Sequence, residues 1–511
     1  MAYSRLGPHP RIDVSDHPAH AFWVALGLVL VVTAGRLAAL AMEWVPLFAD
    51  EMQYWSWAQA LDWGYHSKPP MIAWSIWLTT AIAGDGSFGI RLSTPIIHAV
   101  TALTLFWIGQ ALAGPRIGAW VAVTFVTLPG VSVSALVASV DPALMMFWAL
   151  GLAALVKADG GGRAPTARPG LWWAVAGACA GFAMLTKYAA IAFPGSLLLY
   201  LILARRLGVF RTPGPYLFIA AFAAVFAPNL LWNLSTGFVT VAHVVEDGEY
   251  HGDLLNPLEM LEFLGAQFGV FGPILFGGLL YAIARWRHSC QVDGVRLMLC
   301  FAVVILGFMT AQAFLSRANA NWAAAAYPSA TVAVVALMYA PRWRRWLRAS
   351  LALHIVIAVA IPIAEPVGRS AGLYVDSPLD MFRRMRGWDQ LVAEIDAVRA
   401  DHNGLPVAIN ERGLMAAILY HSENGLEGAY SWNPDGRIDH HFDLVADFGA
   451  QGVDDVLLVS RWGGQSFDPY FAETQSLGVL TIHTHTDRSI AAHLWLGRGF
   501  IGYAPTLDEG G

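Results

Sequence analysis

The sequence predicts a mainly α-helical polytopic membrane protein carrying a small C-terminal α/β domain. Three observations predict it. Only 13% of the 511 residues are charged and 56% are hydrophobic, whereas soluble domains carry roughly a quarter charged residues. Apolar runs of about 20 residues, the length that crosses a hydrocarbon core, recur along the first two thirds of the chain. After about residue 365 the charge density becomes ordinary and the spanning runs stop.

Taken in order, residues 1–21 lack a short apolar core followed by a small-residue cleavage site, so a cytoplasmic N-terminal segment without a cleaved signal peptide is expected. Spans are expected near 22–42, 88–112, 116–137, 142–157, 170–187, 189–204, 214–232, 262–284, 297–315, 322–340 and 349–365, about eleven in all. Basic residues accumulate on the cytoplasmic side of membrane proteins. With the N-terminus inside, the inner loops hold Arg116, then Lys157, Arg163 and Arg168, then Arg205, Arg206 and Arg211. They continue with Arg285, Arg287 and Arg296, and end with Arg342, Arg344, Arg345 and Arg348. The outer loops between spans hold Lys68, Arg91, Lys187 and Arg317.

Residues 22–365 are thus expected to form the membrane domain, and 366–511 a periplasmic α/β domain. In the latter, short apolar segments (406–409, 456–459, 479–482, 492–496) alternate with helix-like stretches (388–400, 413–421, 468–475). The net charge of -6 comes without a basic stripe, which excludes a nucleic-acid footprint. Cys179, Cys290 and Cys300 lie in or beside apolar segments without metal-ligand spacing and read as packing residues.

The stretch 49–77, ADEMQYWSWAQALDWGYHSKPPMIAWSIW, concentrates the chemistry. It reads as two short interfacial helices in the first outer loop. Asp50 suits a helix cap with Gln53 three residues on, and Pro69-Pro70 suits the start of the second helix. Trp and Tyr belong at this depth, where apolar rings meet head groups. Asp50 and Glu51 have an ordinary reading, as a cap and a dipole partner. Their chemical reading is a base for an acceptor hydroxyl. Lys68 is either an interfacial lysine reaching for lipid phosphate or a point charge on the phosphate of a lipid-linked substrate, with Tyr65 and His66 adding hydrogen bonds.

Further candidates fall at outer helix ends. Asp141 before Pro142 is an ordinary turn former that also faces the side of Asp50. Lys187, Arg317 and Asn321 are interface anchors or site residues. Asn229, Trp232, Asn233 and His243 border an outer loop holding Glu246, Asp247, Glu249, His251 and Asp253. Scattered His and acids suit a divalent cation, yet no ligand spacing specifies one, so metal and cofactor stay open and a solvated loop is the better expectation.

Asp50-Glu51, Tyr54, Trp57, Gly64-Tyr65 and Lys68-Pro69-Pro70 together resemble the first outer loop of GT-C glycosyltransferases. The branch is the bacterial one similar to protein O-mannosyltransferases and the lipid A aminoarabinose transferase. Arg91, Asp141-Pro142, Leu185-Thr186-Lys187-Tyr188, the segment 228–233 and Asn321-Trp322 extend the likeness, which covers about residues 20–340. The resemblance implies an inverting transfer from a polyprenyl-phosphate-linked sugar to an acceptor glycan, glycolipid (lipid A or lipopolysaccharide) or protein at the outer face. It implies Asp50 as base with Glu51 beside it, Lys68 on the lipid phosphate, and Asp141 as the second acidic position. Tyr54, Tyr65, His66, Lys187, Asn233, His243, Arg317 and Asn321 are the further substrate-binding candidates. Ser67 departs from the lipid A branch, in which an acid precedes the lysine, and this weakens transfer of that branch's metal site.

The implied partners are the lipid-linked sugar, its acceptor and membrane lipids. Two other classes compete. A transporter or flippase of lipid-linked sugars predicts charged or broken helices near the midplane, where Arg36 is the one candidate noted. An assembly or receptor protein would leave Asp50, Glu51 and Lys68 with anchoring alone.

Overall fold

The computed structural model describes residues 18–159, 167–247, 255–372, 380, 382–423 and 426–503. Residues 1–17, Arg163, Glu249, His251 and Asp253, together with the side chains of Glu246 and Asp247, lie outside what is described. The chain divides into two compact units: Met1–Ala38, Ser93–Leu231 and Glu246–Pro362 form one, while Ala39–Leu92, Trp232–Val245 and Ile363–Gly511 form the other.

The first unit is helical. Among the described residues, six helices are long and apolar enough to cross a membrane: Pro18–Ala41, Ser87–Ala113, Asp141–Ala158, Gly214–Ser235, Gly294–Leu315 and Arg344–Ser370. The expected spans at 170–187, 189–204 and 322–340 become shorter apolar helices, Pro169–Met184, Tyr188–Leu203 and Ala326–Met338. Two others are interrupted. The expected span 116–137 divides into Pro115–Val126 and Pro129–Ser134, because a proline cannot continue the hydrogen-bonded ladder. The span 262–284 divides into Pro257–Val270 and Pro273–Ala284, bent by 120°. Gly272 takes φ 86 at the break, a left-handed backbone that glycine adopts without penalty, and Pro273 starts the next helix.

Trp148, Phe125, Phe193, Phe271, Phe276 and Phe301 are fully buried in this unit. Trp148 meets Phe193 edge to face at 5.0 Å, and Phe193 meets Phe301 at 4.8 Å. Helices in lipid gain contact through small residues that let backbones approach. A Cβ on Gly177 would lie 2.7 Å from the carbonyl carbon of Phe218, and one on Gly181 would lie 3.0 Å from the Phe222 oxygen. Arg36 is buried; its Nη2 donates to the Val126 carbonyl at 2.6 Å and to Ser132 Oγ at 3.0 Å.

The second unit joins the loop after the first span to the C-terminal region. The loop forms Ala49–Gln59, then Met71–Ala83 directly after Pro69-Pro70, then Ser87–Arg91. The C-terminal part holds a five-stranded sheet in the order β2-β1-β3-β5-β4: β1 Val407–Ile409, β2 Ala429–Ser431, β3 Val456–Ser460, β4 Phe471–His485 and β5 Arg488–Phe500. β1 pairs parallel with β2 and β3, while β5 pairs antiparallel with β3 and β4. The stretch 468–475, expected as helix-like, is one 3₁₀ turn at Asp468–Tyr470 followed by the start of β4. Pairing with β5 outweighs local preference there, since strand propensity depends on cross-strand neighbours.

Candidate active site

The two carboxylates at the start of Ala49–Gln59 have different surroundings. Phe48, with extended backbone, is the residue before the first turn, and Asp50 sits inside that turn rather than capping it. Glu51 takes the third position, and its Oε2 accepts from the Phe48 N–H at 3.0 Å. The same carboxylate is fully buried and receives a fork from Arg91, Nε to Oε1 at 2.7 Å and Nη2 to Oε2 at 2.6 Å. Arg91 also donates to the carbonyls of Val45 and Pro46, at 2.9 and 2.8 Å. Breaking a buried pair by removing one partner costs about 3–5 kcal/mol, so Glu51 fixes the loop's entry into the helix.

Asp50 is open by comparison. Its side chain is 36% exposed, and Oδ1 accepts from Arg412 Nη1 at 2.7 Å. The same Nη1 also donates to Gln53 Oε1. Asp50 Oδ2 makes no hydrogen bond among the described residues. A pair this exposed is worth about 0–1 kcal/mol, so it orients the carboxylate without locking it away.

The next turn is an aromatic scaffold. Tyr65 stacks on Trp57 with ring centres 4.6 Å apart. Its hydroxyl donates to the Trp57 carbonyl at 3.0 Å and accepts from the Asp62 N–H at 3.1 Å. Burial pushes the Tyr65 phenol up to about 12, against the lowering effect of the Asp62 N–H. Tyr54 is buried and tilts on Trp57 at 5.2 Å. Trp232 Nε1 donates to Asp62 Oδ2 at 2.6 Å, and Asn233 beside it is buried. Lys68 is half-buried, and its carbonyl accepts from the Tyr65 N–H at 3.1 Å. The turn that carries Lys68 is therefore closed by the scaffold.

Behind it lies a histidine cluster. His66 lies 4.9 Å from His243, ring to ring, and its Nε2 is 3.0 Å from the Ile438 carbonyl. His441 meets Tyr65 at 5.1 Å and Trp57 at 5.6 Å, both edge-on. Burial, reinforced by His243, lowers His66 to about 4. Burial, reinforced by His66 and His440, lowers His441 to about 3. Both rings are neutral at pH 7. Among the described residues no group of three or more His, Cys, Asp or Glu side chains is placed to hold a metal ion.

The remaining candidates belong to the first unit. Asp141 opens the helix Asp141–Ala158 and is 4% exposed. Its Oδ1 accepts from Lys187 Nζ at 3.2 Å and its Oδ2 from Asn321 Nδ2 at 2.6 Å, so three of the sequence candidates meet in one cluster. Next to Lys187, Tyr188 donates to Asn229 Oδ1 at 2.9 Å. Arg317 is exposed in the bend before Ala320–Ala323.

Sequence reading missed Arg412, His440 and His441, and gave Gln53 a capping role where its Oε1 accepts from Arg412. One signal for Arg412 existed: it opens the helix that follows the short strand β1 after Asn410 and Glu411, and open α/β sheets place functional groups beyond the carboxyl ends of strands, where the strand order reverses. The histidines carried no such signal, since their neighbours His66 and His243 lie far away in the sequence.

The sequence family described as dolichyl-phosphate-mannose-protein mannosyltransferase matches residues 67–232. Lipid A galacturonosyltransferase RgtD of Rhizobium johnstonii is 32% identical over 437 residues, covering 85% of this chain and 90% of the relative. An undecaprenyl phosphate-α-4-amino-4-deoxy-L-arabinose arabinosyl transferase of Pseudomonas fluorescens is 28% identical over 203 residues, covering 36% of this chain and 35% of that one. In three dimensions, ArnT from Cupriavidus metallidurans in the apo state superposes with a TM-score of 0.63 at 16% identity, covering 93% of this chain and 98% of that one. The fold and the long alignment agree: the chain belongs to the GT-C glycosyltransferases, multi-pass membrane enzymes, in the group related to RgtD, ArnT and the protein O-mannosyltransferases.

Proposed function

We propose that the protein moves a hexuronosyl residue from a polyprenyl-phosphate carrier to lipid A or a related glycolipid, with inversion, at the periplasmic face of the inner membrane. The sugar and acceptor follow the name of RgtD, a lipid A galacturonosyltransferase. The carrier follows the ArnT structure solved with undecaprenyl phosphate. The alternation of basic loops supports an N-terminus in the cytoplasm and the 366–511 region in the periplasm. Membership in a glycosyltransferase family favours this reading over transport.

The observation that carries the mechanism is the contrast between neighbours: Glu51 is buried and committed to Arg91, whereas Asp50 is part-exposed with Oδ2 unoccupied among the described residues. Asp50 Oδ2 takes the acceptor hydroxyl's proton as that oxygen attacks the anomeric carbon. The bond from carbon to the phosphate oxygen breaks, and its electron pair leaves with the lipid phosphate. Lys68 holds that phosphate. Tyr54, Tyr65, His66, Asn233 and His243 shape the sugar's surroundings. One displacement inverts the centre, without the second, nucleophilic carboxylate of a retaining route.

The test is transfer of labelled sugar from defined polyprenyl-phosphate donors to lipid A. Asp50→Asn is expected to lose about 10²–10⁴-fold, the range of a general base. Lys68→Ala is expected to lose about 10²–10³-fold, by analogy with an oxyanion donor. Full activity of Asp50→Asn removes the base assignment.

A further inference from the structure

Arg412 carries more than its partnership with Asp50 requires. An arginine presents five N–H donors in a rigid planar fork. Here Nη1 alone serves Asp50 Oδ1 and Gln53 Oε1. Nε and Nη2, which form the other edge of the fork, make no hydrogen bond among the described residues, and the side chain is 42% exposed. That edge matches the two oxygens of a carboxylate.

The backbone around Arg412 is built to hold it there. β1 lies between β2 and β3, so the strand order reverses at β1. The chain leaves β1 through Asn410 and Glu411 into the helix Arg412–His421. Glu411 caps that helix, accepting from the N–H groups of Gly413 and Leu414 at 2.7 Å each. A Cβ on Gly413 would stand 3.5 Å from Ala49 Cβ. The first turns of two helices therefore adjoin beside the Asp50–Arg412 pair, and both add partial positive charge where an anion would sit.

We propose that Arg412, supplied by the C-terminal region, reads the carboxylate of the transferred sugar through its Nε/Nη2 edge while Nη1 orients Asp50. The helix Arg412–His421 then contributes specificity to the reaction. This rests on the hexuronosyl reading above. It also accounts for why an arginine stands beside the base, where a neutral donor would suffice to orient it.

The experiment compares full-length wild type, Arg412→Gln, Arg412→Lys and Asp50→Asn in detergent. The donors are two polyprenyl phosphates of one chain length, carrying a hexuronosyl or the corresponding neutral hexosyl group. Wild type is expected to favour the hexuronosyl donor. Arg412→Gln should lose on the order of 10- to 100-fold of that preference, the value of charge-assisted hydrogen bonds, mainly through KM for the hexuronosyl donor. Arg412→Lys should recover little of it, because a point charge does not reproduce the fork. Asp50→Asn should fall about 10²–10⁴-fold with both donors.

If Arg412→Gln and Arg412→Lys fall equally with both donors, or retain the wild-type preference, the proposal is overturned while the base assignment stands. A wild type that favours the neutral donor overturns the hexuronosyl reading itself. Melting curves of each variant separate these outcomes from misfolding; should Arg412→Gln not fold, Arg412→Lys decides through the donor ratio.

Discussion

Replacing Glu51 tests whether this carboxylate is chemical or architectural. Its side chain is 1% exposed and that of Arg91 is 3% exposed. Glu51→Gln leaves the Arg91 guanidinium buried against a neutral amide, and losing one partner of a buried pair costs about 3–5 kcal/mol. Glu51→Ala additionally removes the acceptor of the Phe48 N–H, worth about 0.5–1.5 kcal/mol. The double variant Glu51→Leu/Arg91→Met removes both charges, and replacing a buried pair by apolar groups is often neutral or stabilising. The carbonyls of Val45 and Pro46 then lose their donor, which limits the recovery. Thermal unfolding in detergent, read by tryptophan fluorescence, should rank Glu51→Ala lowest, Glu51→Gln next and the double variant above both. Transfer activity per folded molecule should fall far less in Glu51→Gln than in Asp50→Asn. Two results would refute the reasoning: a double variant as unstable as the sum of its singles, or a Glu51→Gln protein that melts like wild type yet transfers nothing.

Two predictions concern other parts of the molecule. His66 and His441 are both lowered from 6.5, to about 4 and about 3. Below pH 6.5 the unfolded chain takes up protons that the folded chain refuses, so stability present above pH 6.5 is lost as pH falls toward 4. For His66 alone this is on the order of 3 kcal/mol. Melting temperature should drop between pH 7 and pH 5, and less steeply in His66→Gln; an unchanged slope in that variant argues against the assignment. Gly177→Ala places a methyl against the Phe218 backbone and should cost about 1–3 kcal/mol. Gly195→Ala, with nothing within 4 Å, should melt like wild type, and equal melting of the two variants would show that the helices do not pack as closely as described.

Much of the membrane portion was readable because spanning helices write themselves locally: each needs its own apolar run, whatever its neighbours. Local rules failed where a distant partner outweighed them. Asp50 is a better capping residue than Phe48, but a cap is worth about 1 kcal/mol, whereas leaving buried Arg91 without its Glu51 partner costs about 3–5 kcal/mol. The pair sets the register of the helix, and Asp50 moves into its first turn. At 468–475 the ladder to β5 decided the outcome, and at 262–284 a Gly-Pro step broke a run whose composition was apolar throughout.

By itself, the sequence determined the membrane class, the scarcity of charge that makes each outer carboxylate and lysine conspicuous, and the short list from which the candidates came. Only the tertiary structure decided which carboxylate is committed and which is open. Glu51 meets its partner 40 residues away and Asp50 meets Arg412 at a separation of 362 residues. Helix and strand periods describe a segment's own faces and hold no record of which distant segment packs on them, so the pairing that separates Asp50 from its neighbour exists only in the folded chain.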